Sequence, residues 1–437
     1  MRHIRGELQS LVIPSQQSIS DSVSVWSGIK QASCGASPQA STRLKPTLET
    51  ATTCAEYTST YQNDGLGLSG LASVRQFFNV SNDVWNNPNQ IHGIMSTILL
   101  AMLVTVRIAP DVGGLKFSQP QIAVAGDLVG LTFGSSNNIY YSGSRDQGRT
   151  FSKPMVVANI PKAMLGMHRG PRIAISSAGA ILISAPHSGN IAAWRSTDGG
   201  RTWSASNVIN DSPGSAPEGL QALATGPNGL VFAAWLDIRE NKRNQLYGAA
   251  STDGGVTWSK NVRVYASPDG KICECCHPSL AISKTGEIYV MWRNNLGGAR
   301  DLYFARSMDR GKTFNQVSKF GTGTWQLNIC PMDGGGVAVD AKGEITSVWR
   351  RQDTVFLSTA GQPERALAIG KDPTIAVNEN GPYVVWTGRS GLEAKLPHDG
   401  GVVTLAPDGA FATIAGSDSV FAAWESQGAI VVTRLDQ

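Results

Sequence analysis

Residues 196–203 read Ser-Thr-Asp-Gly-Gly-Arg-Thr-Trp, and residues 251–258 read Ser-Thr-Asp-Gly-Gly-Val-Thr-Trp. Looser versions stand at 144–151 (Ser-Arg-Asp-Gln-Gly-Arg-Thr-Phe) and 307–314 (Ser-Met-Asp-Arg-Gly-Lys-Thr-Phe). The shared rule is Ser-x-Asp-x-Gly-x-Thr-aromatic. Its aspartates, Asp146, Asp198, Asp253 and Asp309, follow one another at steps of 52, 55 and 56 residues. Self-similarity at a fixed period near 50 marks a solenoid or a propeller. Each position has a physical task. The Asp accepts from backbone N–H groups further along and closes a turn. The Gly takes a positive φ without strain. The aromatic anchors the turn on apolar residues beneath it. Such a turn supports itself and needs no ligand.

A second pattern runs independently from about residue 120. Short apolar strands containing a small Ala begin at Pro120, Pro171, Leu220, Pro278, Gly336, Pro373 and Phe411. Most are answered by a strand ending in an aromatic: Phe133, Trp235, Trp292, Trp349, Trp386 and Trp424. Strands at this spacing, parted by Gly, Asn and Asp turns, read as all-β. The fold class expected is an all-β β-propeller of four-stranded blades with these turns between third and fourth strands. Seven starts favour seven blades, with six as the alternative. The last unit lacks a fourth strand, and residues 110–118 are expected to supply it and close the ring, which removes exposed sheet edges.

These phrases resemble the Asp-box repeats of the sialidase (neuraminidase) superfamily. The resemblance covers the propeller and implies a fold firmly and an activity weakly, because Asp-boxes also occur in propellers that are not glycosidases. Composition agrees with a turn-rich β protein: 48 Gly, 41% hydrophobic and only 16% charged residues in a chain of 437. A net charge of +4, with no dense Lys/Arg run, argues against a nucleic-acid surface.

The chain divides into three expected regions. Residues 1–93 are Ser-, Thr-, Gln- and Asn-rich, without sustained period, and read as a disordered or non-native extension. Residues 94–109 hold an apolar run, Ile94 to Val106, too short to span a bilayer comfortably and of signal-peptide length. A start at Met95 and export to the periplasm or medium are therefore expected; a disordered extension followed by a buried strand is the alternative. Residues 110–437 form the propeller, with no stable membrane span and a monomer expected.

Propeller topology places the Asp-boxes on one face. Residues just before an inner strand and just after the Trp fall on the other, at the channel mouth. There the sequence puts His168 and Arg172, Glu218, Asp237 and Arg239, Arg293, and Arg350. Arginine offers a planar fork that matches carboxylates. The resemblance implies that Arg172, Arg239, Arg293 and Arg350 hold the carboxylate of a terminal anionic sugar such as sialic acid, with Glu218 and Asp237 catalytic. It also implies a tyrosine nucleophile, an exception to the two-carboxylate rule. No Tyr stands at a matching position: Tyr247 and Tyr303 fall in third strands and Tyr383 starts a Trp-ended strand. A non-catalytic propeller binding glycans or proteins is the alternative.

Four cysteines also belong to the mouth: Cys273, Cys275 and Cys276, followed by His277, and Cys330. In an exported domain one of the first three bonds to Cys330. The same set, with Met332 and His168, suits copper or zinc. Cys273-Glu-Cys-Cys276-His277 also satisfies the Cys-x-x-Cys-His pattern of c-type haem attachment. No cofactor is required by the glycosidase reading.

Overall fold

The computed structural model describes residues 105–437 except 111–113, 398–400 and 417. The expected extension 1–93, and residues 94–104 of the signal-like segment, lie outside the described residues. Among those described, all regular structure is β, in seven antiparallel sheets of four strands each. Six sheets run in plain sequence order from an inner to an outer strand. Their inner strands are Ser118–Ala125, Arg172–Ile175, Gln221–Thr225, Ser279–Ile282, Gly336–Val339 and Lys371–Asn378. The seventh takes Ala410–Ala415, Phe421–Ser426 and Ala429–Arg434 from the C-terminus and Thr105–Ile108 from upstream. Each inner strand touches the next, and Ala410–Ala415 touches Ser118–Ala125, so the ring is closed.

The closing strand is not the expected 110–118. It is Thr105–Ile108, paired antiparallel with Ile430–Thr433. Its alternating pattern sets Ile108 into the apolar cluster between blades seven and one. The propeller therefore begins inside the segment 94–109, and a cleavage after Ala109 would remove the outer strand of blade seven.

Seven apolar clusters fill the seven blade interfaces, one each. The Trp-ended strands supply their largest members: Trp235, Trp292 and Trp386 are fully buried. Burying an aromatic of this size, about 150–250 Å2, stabilises by roughly 4–6 kcal/mol at about 25 cal/mol per Å2.

The Asp-boxes explain how the first four blades lock. In the second, Ser196 Oγ donates to Asp198 at 2.8 Å and accepts from Gly200 N at 2.9 Å, while Asp198 accepts from Thr202 N and Oγ1 at 3.0 and 2.6 Å. The other three repeat this geometry. The box glycine has two reasons to be glycine. Gly200 has φ +89°, and a Cβ there would lie 2.1 Å from the Tyr141 ring of the preceding blade. Gly148, Gly255 and Gly311 likewise press on Phe421, Leu182 and Phe232 of the blade before. The box aromatics follow: Trp203 meets Tyr141 edge-on at 5.4 Å, and Phe314 meets Phe232 at 5.3 Å. Each box thus rivets its blade to the previous one. Blade five carries a decayed copy, Ser358-Thr-Ala360-Gly-Gln362, in which Ala360 stands where the Asp would be.

Candidate functional site

The inner strands of all seven blades line a central channel of about 430 Å3. Small residues such as Ala123, Ala174, Ala224, Ala338 and Ala376 crowd its wall. At one end, opposite the Asp-boxes, His168, His277 and Asp372 close over it. A hollow of about 560 Å3 on the turn face, between blades four and five, is the larger cavity. Its charged groups Glu287 and Arg306 are already paired with each other.

The mouth is built by strained backbone. His168 rides at the tip of a tight turn, Gly166 to Arg169, whose two central residues Met167 and His168 both have positive φ, 51° and 60°. That conformation normally selects Asn or Gly. In blades one, six and seven the inner strand opens with a register shift at the mouth end, and the residues carrying it, Gln119, Asp372 and Phe411, have φ of 54°, 53° and 50°. A bulge re-aims a side chain, and non-Gly residues in this region cost of order 1 kcal/mol or more each; such strain gathers at ligand sites. The side chains converge on His168. Its Nε2 lies 3.0 Å from Asp372 Oδ1, its ring 4.6 Å from that of His277 and 5.4 Å from Phe411.

Two further carboxyl groups stand behind. Asp333 is fully buried and accepts from the backbone N–H of Asp372 at 2.9 Å. Burial raises its pKa, and Arg293 works against that. Glu425 accepts from the backbone N–H of Gln119 at 2.7 Å. Burial raises its pKa too, partly offset by that bond and by His168. His277 is held neutral, chiefly by burial; its buried Nδ1 has no partner.

The residues expected from sequence are placed as follows. Arg172 is buried, and its guanidinium donates only to backbone carbonyls, those of Gln221 and Pro171 at 3.0 Å and of His168 at 2.5 Å, with Gly170 at 3.5 Å. Burial brings its pKa down to about 10. Arg293, 1% exposed, donates to the carbonyls of Asp333, Arg300 and Arg350. These two arginines tie mouth loops together and have spent their donors on the backbone. Arg239 is bound to Asp237 and Asp211. Arg350 bonds the Gln352 carbonyl and lies 5.4 Å from the Trp325 ring. Glu218 pairs with Arg169 at 2.9 Å. Asp237 is fully buried and saturated by Ser215, Trp235 Nε1 and Arg239. Arg293 and Arg350 come together beside Trp325, whereas Arg172 and Arg239 are held by other partners.

Cys273, Cys275, Cys276 and Cys330 are all free thiols. The first three are buried with sulfurs 3.4 to 3.9 Å apart, and Cys330 is exposed, so the expected bond to Cys330 is absent. Bonds from Cys275 and Cys276 hold the Cys273 thiol low, while bonds within the trio push Cys275 up and burial pushes Cys276 up. The sulfurs of Cys273 and Cys276 touch each other in an apolar interior, which does not fit the open slot a c-type haem needs between its two thioethers.

Residues 185–328, from blade two through blade four, match the family described as BNR repeat-like domain. The described residues form a seven-bladed β-propeller, and the match to that family lies within its second to fourth blades. Solved structures of similar fold include a Hadza microbial sialidase, at 16% identity over 76% of this chain and 68% of that one, TM-score 0.48. Virginiamycin B lyase from Staphylococcus aureus aligns at 15% identity over 76% and 99%, TM-score 0.50. An α-L-arabinofuranosidase of Fusarium graminearum, solved with arabinobiose, aligns at 16% over 69% and 98%, TM-score 0.43. At 15% identity the virginiamycin B lyase alignment speaks for the fold alone. No curated protein matches the sequence. No helix among the described residues is long and apolar enough to cross a membrane.

Four mouth residues of the propeller escaped the sequence reading: Gln119, Asp372, Phe411 and Glu425. The signal for them was present. Glu425 follows Trp424 as Arg293 follows Trp292 and Arg350 follows Trp349. Asp372-Pro373 and Gln119-Pro120 stand where His277-Pro278 does, just before an inner strand. Chemically, the mouth offers a carboxyl whose pKa is raised by burial (Glu425), an imidazole paired with a carboxylate (His168 and Asp372) and an aromatic face (Phe411).

Proposed function

We propose that the protein is a glycan-processing hydrolase acting at the channel mouth. The observation that carries this is the His168–Asp372 pair at the channel mouth, with Glu425, a half-buried carboxyl whose pKa burial raises, bonded to the backbone of Gln119 at the opening of the first inner strand. Hydrolysis of a glycosidic bond needs a proton donor for the leaving oxygen and a base for the attacking water. Glu425 serves as the donor: its proton passes to the leaving oxygen as the bond breaks. His168, oriented by Asp372, takes a proton from water as the oxygen adds to the sugar carbon. Phe411 gives a sugar ring an apolar face to lie on, and the strained bulges hold these groups in place.

The finer reading, removal of a terminal sialic acid, rests on the resemblance of the Asp-boxes. The spent donors of Arg172 and Arg293 count against a carboxylate clamp, so neutral terminal sugars are the expected substrates. A panel of aryl glycosides, neutral sugars beside an α-sialoside, tests this. We expect turnover of at least one neutral glycoside, a loss of about 100-fold in kcat in Glu425→Gln, and an unchanged Tm; about 100-fold corresponds to roughly 2.7 kcal/mol of barrier. No turnover across the panel, together with no glycan binding, sinks the reading.

Export belongs to the same proposal, with processing upstream of Thr105. N-terminal sequencing of the mature protein checks it: a start beyond Ile108 contradicts the closed ring.

A further inference from the structure

The cysteine loop carries chemistry that the glycan reading does not use. Cys273, Cys275 and Cys276 are 0%, 8% and 2% exposed. Their sulfurs lie 3.6, 3.4 and 3.9 Å from one another, all within 4.8 Å. A disulfide needs about 2.05 Å, so no pair is bonded. A triangle with these sides has a circumscribed radius of about 2.1 Å. An ion at the usual zinc–sulfur length of about 2.3 Å from each sulfur then sits roughly 0.9 Å from the sulfur plane, the pyramidal arrangement of a tetrahedral site with its fourth position open. Tetrahedral sites at that length have sulfur–sulfur edges of about 3.8 Å, near the spacings found.

The surroundings complete the set. Met332, from the loop before the fifth inner strand, packs on the trio and brings a thioether. Its backbone is held at φ +58°. The loop itself is pinned, since Cys273 N–H donates to the Arg293 carbonyl at 3.1 Å. Thiolate with thioether is the donor set that selects copper(I) and zinc from among the common cations.

We propose that Cys273, Cys275 and Cys276, with Met332 beside them, form a closed structural site for one thiophilic d10 cation, copper(I) or zinc(II). The thiols that still hold protons release them to the solvent as the ion binds. The ion staples the 273–277 loop of blade four and sets His277, whose ring lies 4.6 Å from His168. The site is independent of the substrate acted on at the mouth, and Cys330 takes no part in it.

The test uses the full chain, reduced, loaded separately with zinc(II) and with copper(I), then freed of loosely held ion. Elemental analysis is expected to give one ion per chain with at least one of the two metals. Cys273→Ser and Cys276→Ser lose it, and Cys330→Ser keeps it. Should the serine variants fail to fold, alkylation of wild type followed by peptide mass analysis decides. Bound metal slows modification of the trio at least tenfold while Cys330 reacts unchanged. Less than a half-equivalent of either metal, or alkylation of the trio indifferent to metal, overturns the proposal.

Discussion

On the turn face, Asp146, Asp198, Asp253 and Asp309 make the same set of bonds in four successive blades. At the mouth, equivalent positions carry different groups: Gln119, His277 and Asp372 stand before inner strands, and Asp237, Arg293 and Glu425 end or follow Trp-bearing strands. One face repeats because its task repeats. Each Asp-box closes its own turn within eight residues and seats a glycine against the blade before. The other face diverges because its parts meet only across the ring. His168 and Asp372 are 204 residues apart and come from blades two and six. Stability is therefore spread over local copies, whereas any chemistry depends on single, unrepeated side chains. Mutations on the two faces should separate stability from function.

The largest effect is expected on the turn face, at Gly200. Alanine there must adopt φ +89° and place its Cβ 2.1 Å from the Tyr141 ring, which is 1% exposed and rigid. Positive-φ strain and overpacking together cost about 3–5 kcal/mol. Urea unfolding of Gly200→Ala measures it, with turnover per folded molecule unchanged. A loss under about 1 kcal/mol breaks the view that the box locks blades together.

That asymmetry also sets what was legible in the chain. The Asp-box is a local object, so four copies disclosed the blade register, and the register disclosed which loops share the mouth. Seven inner strands could be counted from Pro120-Gln-Ile-Ala and its relatives. The closing strand was misplaced because Thr105–Ile108 carries no turn signal and looks like the tail of an apolar run. At the mouth the partners of the side chains are not legible in the sequence. Arg172 and Arg293 look like ligand forks in one dimension. Only the fold shows that backbone carbonyls surround them. Asp372 and Phe411 were hidden by bulges, since a one-residue insertion in register leaves no mark in hydrophobic alternation. Clustering of three thiols was hinted by Cys-x-Cys-Cys; their separation from Cys330 was not.

At the mouth the next largest effect is expected. Asp372→Asn keeps the bulge and its backbone bond to Asp333 but removes the carboxylate facing His168 Nε2. A loss of about 10- to 100-fold in kcat is expected, with stability altered by less than about 1 kcal/mol. The pH profile should also report Glu425. Burial raises its pKa, so activity requiring its proton persists to higher pH than an ordinary glutamic acid allows and falls as pH rises through that raised value. In Glu425→Gln this alkaline limb disappears. A profile identical in the two proteins removes Glu425 from the proton-donor role.

The smallest effect returns to the turn face. Burial by itself raises the pKa of Asp253, but bonds from Ser251 and Thr257 more than offset this and bring it to about 2. A carboxyl lowered in the folded state contributes stability that is complete above its unfolded value near 4 and is lost as pH falls toward 2. Asp253→Ala should therefore cost about 1–2 kcal/mol at pH 7, the scale of hydrogen bonds to a charged acceptor at an exposed turn. The gap between wild type and variant should narrow steadily between about pH 4 and pH 2. Turnover at pH 7 should not move, because Asp253 lies on the opposite face from His168. A gap that stays constant over this range would mean the box holds by its backbone path and glycine contact, with the carboxylate merely accompanying them.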